Sequence, residues 1–244
     1  MKNVKITIQY DGTNYHGWQI QPNGRTVQSE LTRVLSLLDQ RHVTVHGAGR
    51  TDAGVHATGQ VASFLFGRDF EPDQLREAIN GNLDRDIRVV DVEFVEDSFN
   101  ARFSARLKTY RYRVWTAAVV SPFAYRYVYH HGGPLDVDEM QRAAAALVGE
   151  HDFSSFTVMD SEARSHTRHL KRLDVEPDEA GLTIEAASDG FLRYMVRTIA
   201  GTLIEVGRGR RSASSMADVL QSRTRANAGW TAPAAGLTLV SVDY

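Results

Sequence analysis

The sequence predicts an α+β fold made of two ferredoxin-like units, each with an antiparallel sheet flanked by helices. Apolar and polar residues alternate in several runs, as in half-buried strands, and between those runs apolar residues recur at helical spacing. The resulting order of strand, helix, strand, strand, helix, strand occurs once before residue 105 and again after it. We therefore expect one domain at 1–104 and a second at 105–244.

The first unit opens with the strand VKITIQY, in which Val4, Ile6 and Ile8 alternate with polar residues. A helix is predicted after Thr26, which is placed to cap it, because apolar residues then recur at helical spacing. A second helix has Pro72 near its start. The remaining predicted elements are strands at 42–46, 60–66 and 87–95, with the second helix at 69–83.

The second unit repeats this order with longer connections. Its first strand is LKTYRYRVW at 107–115, and its last is the alternating GLTLVSVDY at 236–244. Between them the sequence predicts a helix at 137–148, the strands HLKRLDVEP and LTIEAAS, a long apolar helix at 191–207 and a shorter helix at 212–221.

The composition and the lengths of the apolar runs exclude several classes of protein. The chain has 244 residues, enough for one large domain or two of ordinary size, and its lack of cysteine excludes disulfides and thiolate metal sites. Its apolar runs are too short to span a bilayer, and MKNVKITIQYDG lacks the apolar region of a secretory signal. We therefore expect a cytoplasmic protein with no membrane partner.

Charge is unevenly distributed along the chain. The formal net charge is only −2, yet RSHTRHLKR at 164–172 and RGRR at 208–211 are strongly basic. A nearly neutral protein with such clusters can bind phosphates on one face. A solvated surface remains the alternative for either cluster.

The loop GAGRTDAGVHATG at 47–59 combines four glycines with Arg50, Asp52 and His56. It lies between two predicted strands, where functional side chains are often carried. A carboxylate beside a guanidinium is held ionised and can act as a nucleophile or base. Arginine also pairs with RNA phosphates or stacks on bases. Ordinary turn chemistry is the alternative explanation for aspartate among glycines.

A metal site is a further alternative for this loop. His46, Asp52 and His56 would supply two imidazoles and one carboxylate, a set that binds transition metals. Their spacing does not require them to meet. A metal-dependent hydrolase and a non-catalytic RNA-binding module therefore both remain alternatives to an enzyme that uses Asp52 directly.

Two segments of the second unit carry further candidates. In KTYRYRVW, Tyr110 and Tyr112 share a strand face with Lys108, which is typical either of an RNA-stacking surface or of ordinary packing. Arg197 lies within the long apolar helix. If it points inward it requires a carboxylate partner, for which Asp52 is a candidate, and the alternative is an arginine reaching the solvent from the helix edge.

Taken together, these segments resemble the TruA family of tRNA pseudouridine synthases. The resemblance runs almost end to end, and GRTDAGVHA is its most specific motif. The matching segments are YDGTNYHGWQIQPNGRTVQSEL at 10–31, GAGRTDAGVHATGQVASF at 47–64, FNARFSARLKTYRYRV at 99–114, DFSSF at 152–156, FLRYMVRTIAGTLIEVGRGR at 191–210 and AGWTAPAAGLTLVSVDY at 228–244. The resemblance implies the pseudouridine synthase fold.

It also implies a reaction and its partners. The family isomerises uridine in the anticodon stem-loop of tRNA, at positions 38, 39 and 40, without a cofactor or a metal. The C1′–N1 bond breaks, the uracil rotates, and C5 is joined to C1′. Family members are homodimers whose two chains together form the tRNA cleft, so a basic cleft is compatible with a net charge of −2.

Site residues follow from the same resemblance. Asp52 matches the catalytic carboxylate, and Arg197 matches the basic residue that pairs with it. Tyr110 matches the tyrosine that stacks on the uracil and assists proton loss at C5. Arg50 matches the arginine that helps to displace the target nucleotide from its stack, as chemistry on a paired base requires.

The chain departs from the family pattern after DFSSF. There it reads TVMDSEARSHTRHL, without the glycine, cysteine and proline that the family usually shows, although Arg168 remains. We expect Arg168 and His56, together with Arg50, to bind substrate. Trp230 also replaces a more common proline. The role of the divergent segment 157–170 is left open.

Overall fold

The computed structural model describes residues 1–158 and 165–244 of the chain. These residues form two compact units, Met1–Arg106 with Leu239–Tyr244, and Leu107–Thr238. Helices and mainly antiparallel strands occur in both, which confirms the α+β class. Arg164 of the first basic cluster and part of the divergent segment lie outside the described residues.

The first unit is a sheet with two helices. Strands β1 and β3 pair antiparallel, as do β1 and β4, and the sheet order is β4–β1–β3–β10. Helix α2 packs on β4 and contacts α1. The elements are β1 Lys2–Tyr10, α1 Val27–Asp39, β2 His46–Gly47, β3 His56–Phe66, α2 Pro72–Asn82, β4 Ile87–Val95 and β10 Leu237–Asp243.

Local sequence explains why β1 and α1 form. Val4, Ile6 and Ile8 are fully buried, so the alternating pattern marks the core face of β1 as predicted. Thr26 is the N-cap of α1, and its hydroxyl accepts the Ser29 N–H at 3.2 Å. In return the Ser29 hydroxyl accepts the Thr26 N–H at 3.1 Å, which completes a reciprocal cap.

The second unit contains an antiparallel sheet of order β5–β9–β8–β7, with β6 paired parallel to β5. Helix α3 packs on β8 and on α4, and α4 also contacts β5. The elements are β5 Leu107–Trp115, β6 Tyr129–His130, α3 Val137–Ala145, β7 Gly149–Asp152, β8 Thr167–Asp178, β9 Gly181–Ser188, α4 Met195–Gly207 and α5 Met216–Ser222. Within the described ranges, no helix is both long and apolar enough to cross a membrane.

Several elements differ from the predicted ones. The strand expected at 42–46 is only two residues long, because helix α1 satisfies its backbone: the Val43 N–H bonds the Ser36 hydroxyl, and the Val45 carbonyl accepts from the Gln28 amide. The long helix begins at Met195 and not at residue 191. The short strands β6 and β7 were not predicted, since runs of two to four residues carry no readable period.

Candidate functional site

Asp52 lies in the loop between β2 and β3, at residues 48–55. Its side chain is partly buried, Arg50 is exposed, and Thr51 between them is buried. The Trp18 N–H donates to the Thr51 carbonyl at 3.0 Å. Gly17 packs so closely here that a Cβ added to it would lie 2.6 Å from the same carbonyl oxygen. The segment around Gly17 therefore holds the main chain immediately before Asp52.

The main chain after Asp52 is also held in place by hydrogen bonds. The Val55 N–H donates to the Asp52 carbonyl at 3.1 Å, and the Gly54 N–H donates to the Tyr15 carbonyl at 3.3 Å. Gly54 has φ of 79°, a left-handed conformation that glycine adopts without strain. The backbone on both sides of Asp52 is thus fixed by main-chain hydrogen bonds, as a preorganised functional group requires.

Tyr10, at the end of β1, stabilises the loop that carries Asp52. Its hydroxyl is 2.8 Å from the Thr51 hydroxyl and accepts from the Gln60 amide at 3.4 Å. Gln60 also donates to the Gly49 carbonyl at 3.0 Å. Burial raises the pKa of Tyr10 to about 12, although its hydrogen bonds to Thr51 and Gln60 act in the opposite direction. These side chains tie the loop to β1 and β3.

Tyr10→Phe will lower the free energy of unfolding by about 1 kcal/mol at pH 8, because the buried bond to Thr51 is lost. Between pH 10 and pH 12 the unfolded tyrosine loses its proton while the folded one keeps it, so ionisation favours unfolding. The wild type loses up to about 1.4 kcal/mol per pH unit in this range from Tyr10, and the variant does not. Urea unfolding at pH 8 and pH 11 measures the difference between the two proteins, and a difference that stays constant contradicts the prediction.

His56 lies inside the first unit at the start of β3, with 3% of its surface exposed. Its Nδ1 accepts the Gly12 N–H at 3.0 Å, so that nitrogen carries no proton. Asp11 Oδ1 lies 3.3 Å from the same nitrogen but accepts instead from the N–H and hydroxyl of Thr13. The ring supports the turn at Gly12, and its predicted role in substrate binding stays a prediction.

The metal alternative finds no support in the geometry. His46 is exposed while His56 is buried, and Asp52 lies on the loop between them. Across residues 1–158 and 165–244, no three His, Asp or Glu side chains are grouped so as to hold a metal ion.

The two tyrosines of β5 differ in their surroundings. Tyr112 is fully buried, and its hydroxyl donates to the Pro233 carbonyl at 2.9 Å. Burial raises the pKa of this hydroxyl, so Tyr112 is a satisfied core residue. Tyr110 is 6% exposed, and its ring meets the edge of the Phe191 ring with centroids 5.1 Å apart. The packing interpretation therefore applies to Tyr112, whereas the role of Tyr110 stays a prediction.

Arg197 lies in the first turn of α4 and is partly buried. Its Nε donates to the Ala232 carbonyl at 2.7 Å, and its own carbonyl accepts the Ala232 N–H at 3.0 Å. The ring of Tyr194 lies beneath the guanidinium, 5.1 Å from Cζ. Arg197 is therefore held by specific contacts and does not simply extend into solvent from the helix edge.

Arg168 lies in β8 and is also partly buried. Its guanidinium donates to the carbonyls of Ser165 at 2.9 Å and Thr167 at 2.6 Å. Burial lowers the pKa of Arg168, and the nearby Asp189 opposes that change. The guanidinium is thus fixed against the main chain of Ser165 and Thr167.

Part of the charge in the two basic clusters is neutralised. Arg172 forms ion pairs with Glu185 and with Asp174, the latter at 3.3 Å. Arg211 pairs with Glu205 at 3.3 Å. These two arginines therefore have carboxylate partners within the chain.

The predicted site residues are divided between the two units. The first unit carries Arg50, Asp52 and His56, and the second carries Tyr110, Arg168 and Arg197. A sequence profile described as tRNA pseudouridine synthase matches residues 6–104 and 143–244. The chain belongs to this family.

Individual relatives agree with the profile. The tRNA pseudouridine synthase A of Acetivibrio thermocellus is 43% identical over 244 residues, which is the whole of both chains. The enzyme of the same name from Myxococcus xanthus is 45% identical over 247 aligned positions, covering all of this chain and 92% of the relative. That of Halalkalibacterium halodurans is 44% identical over 238 residues, covering 97% and 90%. The chain is accordingly an isomerase that acts on tRNA uridines.

Several residues that shape the site of this tRNA pseudouridine synthase were not predicted. Tyr10 ends the alternating strand β1 and opens the segment that resembles the family at 10–31, but neither pattern reveals its bond to Thr51. Tyr194 and Ala232 both contact Arg197. Nothing in the sequence predicted these contacts, although both residues lie in segments that resemble the family. Their contacts depend on residues distant in the sequence or on an unusual backbone conformation.

Proposed function

We propose that this tRNA pseudouridine synthase isomerises uridines in the anticodon stem-loop, with Asp52 as the catalytic carboxylate. The observation that carries the proposal is the Asp52 loop, whose backbone is held on both sides while the side chain stays partly accessible. A carboxylate fixed in this way can act on a nucleotide without the entropy cost of ordering its own loop.

The reaction balances without an external reagent. The C1′–N1 bond of uridine breaks, the uracil rotates, and a C5–C1′ bond forms. C5 then loses its proton to solvent and N1 gains one, so nothing is oxidised or reduced. We propose that Asp52 promotes breakage of the C1′–N1 bond.

Two residues of the second unit complete the proposed catalytic set. Tyr110 would meet the uracil and assist loss of the C5 proton, with its ring already oriented by Phe191. Arg197 would pair with the catalytic carboxylate, with its guanidinium already oriented by Ala232. Both roles are those that the family resemblance implies, and the contacts of the two side chains support them.

We further propose Arg50, His56 and Arg168 as substrate-binding residues. Arg50 is exposed, as a side chain that inserts into or pairs with an RNA backbone must be. Arg168 presents a guanidinium held by two carbonyls, and His56 would act through the turn at Gly12. tRNA is the proposed macromolecular partner, and we propose that the active form is a homodimer.

Release of tritium from tRNA transcripts that carry [5-³H]uridine tests the proposal, because forming the C5–C1′ bond expels the hydrogen on C5. We expect release from an unmodified transcript and none from a matched transcript whose anticodon stem-loop uridines are replaced by cytidine. Equal release from both transcripts would contradict the anticodon stem-loop assignment. tRNA binding without any release would leave the non-catalytic RNA-binding alternative.

A further inference from the structure

Tyr194 has a left-handed backbone conformation, which is unusual at the start of a helix. Its φ is 63° and its ψ is 0°, in the left-handed region that side-chain-bearing residues seldom occupy. Gln40 and Arg223 share this conformation, but each is the C-cap of a helix, where it is common. Tyr194 is instead the N-cap of α4, a position that normally has extended backbone. The start of the helix does not explain the strain.

The residues on both sides of Tyr194 are held by specific contacts. The buried Thr157 hydroxyl donates to the Arg193 carbonyl at 3.0 Å, just before Tyr194. After it, Met195 is fully buried, and the Thr198 N–H donates to the Tyr194 carbonyl at 2.9 Å. Strained residues persist where the structure holds them in this way, and they cluster at functional sites.

The consequence of the strained turn is the position of the Tyr194 ring. It lies 5.1 Å from Arg197 Cζ and 4.9 Å from Arg193 Cζ, both within the range of a cation–π contact. Arg193 Nη2 also donates to the Tyr194 hydroxyl at 3.2 Å.

We infer that Tyr194 is a positioning residue that orients the Arg197 guanidinium. The inference rests on the proposed function, in which Arg197 pairs with the catalytic carboxylate. The Ala232 carbonyl fixes the Nε edge of the guanidinium, and the Tyr194 ring fixes its face. A planar group constrained at one edge and one face has a defined orientation, which is what a directional pair with a carboxylate requires.

Tyr194→Asn and Tyr194→Phe test the inference. Asparagine tolerates the left-handed conformation but removes the ring, whereas phenylalanine keeps the ring and the strain. We expect the single-turnover rate of tritium release to fall about tenfold in Tyr194→Asn, the factor that 1.4 kcal/mol represents, and to change less than about twofold in Tyr194→Phe. tRNA affinity should be unchanged, and the melting temperature of the asparagine variant should equal or exceed that of the wild type.

A purely structural role predicts the opposite pattern, in which the rate falls only together with the melting temperature, and this result would overturn the inference. An unchanged rate in Tyr194→Asn would also overturn it.

¹⁵N relaxation of the Arg197 Nε–H provides a readout independent of activity. We expect an ordered Nε–H in the wild type and Tyr194→Phe and a mobile one in Tyr194→Asn; equal order in all three would also refute the inference. Wild-type protein that released no tritium would instead contradict the proposed function, while the relaxation data would still decide whether Tyr194 orients Arg197.

Discussion

Asp52→Asn will lower the rate of pseudouridine formation by at least about 10³-fold while leaving the fold and tRNA binding intact. Asparagine keeps the shape of the side chain but cannot act as an anionic nucleophile or base. The loop itself is held by main-chain bonds, from Trp18 to Thr51 and from Gly54 to Tyr15, which the substitution does not alter. The lost rate therefore reports the chemistry and not the position of the loop.

Three measurements separate these effects. Tritium release gives turnover, filter binding gives tRNA affinity, and thermal unfolding gives stability. Asp97→Asn is a matched control, because Asp97 is an exposed aspartate of the same unit and the same charge is removed. We expect normal release from the control. Normal release from Asp52→Asn would show that Asp52 is not the catalytic carboxylate.

Gly17→Ala will destabilise the first unit and displace the Asp52 loop. The added Cβ would lie 2.6 Å from the Thr51 carbonyl oxygen, closer than such atoms approach, and a tight 3.0 Å from the Asp52 carbonyl carbon. Gly17 also has φ of 88°, which costs an alanine about 1–2 kcal/mol by itself. Because main-chain atoms must move as well, we expect the free energy of unfolding to fall by at least about 3 kcal/mol. Any folded protein should lose about 10²-fold in turnover, as a misplaced catalytic group does.

Gly81→Ala is the control for this prediction. Gly81 lies within α2, and a Cβ added there has no neighbouring atom within 4 Å. Alanine is the better helix former, so this variant should gain about 0.5–1 kcal/mol and keep full turnover. Urea unfolding and tritium release on both variants provide the comparison. A Gly17→Ala protein with wild-type stability and turnover would mean that the segment around Gly17 does not hold the loop.

Local pattern in the sequence was sufficient for the class of fold and for many of its elements. Strands β4 and β5 begin and end at the predicted residues, and α1 starts directly after Thr26, because alternation and capping depend on neighbours in the chain. The motif GRTDAGVHA and the segments in order around it were sufficient for the family, which the profile match confirms. They were also sufficient to nominate Asp52, Tyr110 and Arg197 as site residues, assignments that stay proposals.

Tertiary structure alone decided which polar and backbone groups meet. Strand alternation puts Tyr110 and Tyr112 on one face, and only packing shows that Tyr112 bonds Pro233. Helical periodicity likewise placed Arg197 in an apolar helix without revealing its bond to Ala232. Periodicity records which face of an element is buried. It does not show the partner of a buried polar group, because a hydrogen bond between distant residues leaves no spacing in the chain. Nor does it show the left-handed turn at Tyr194, where the preceding carbonyl is bonded to the distant Thr157.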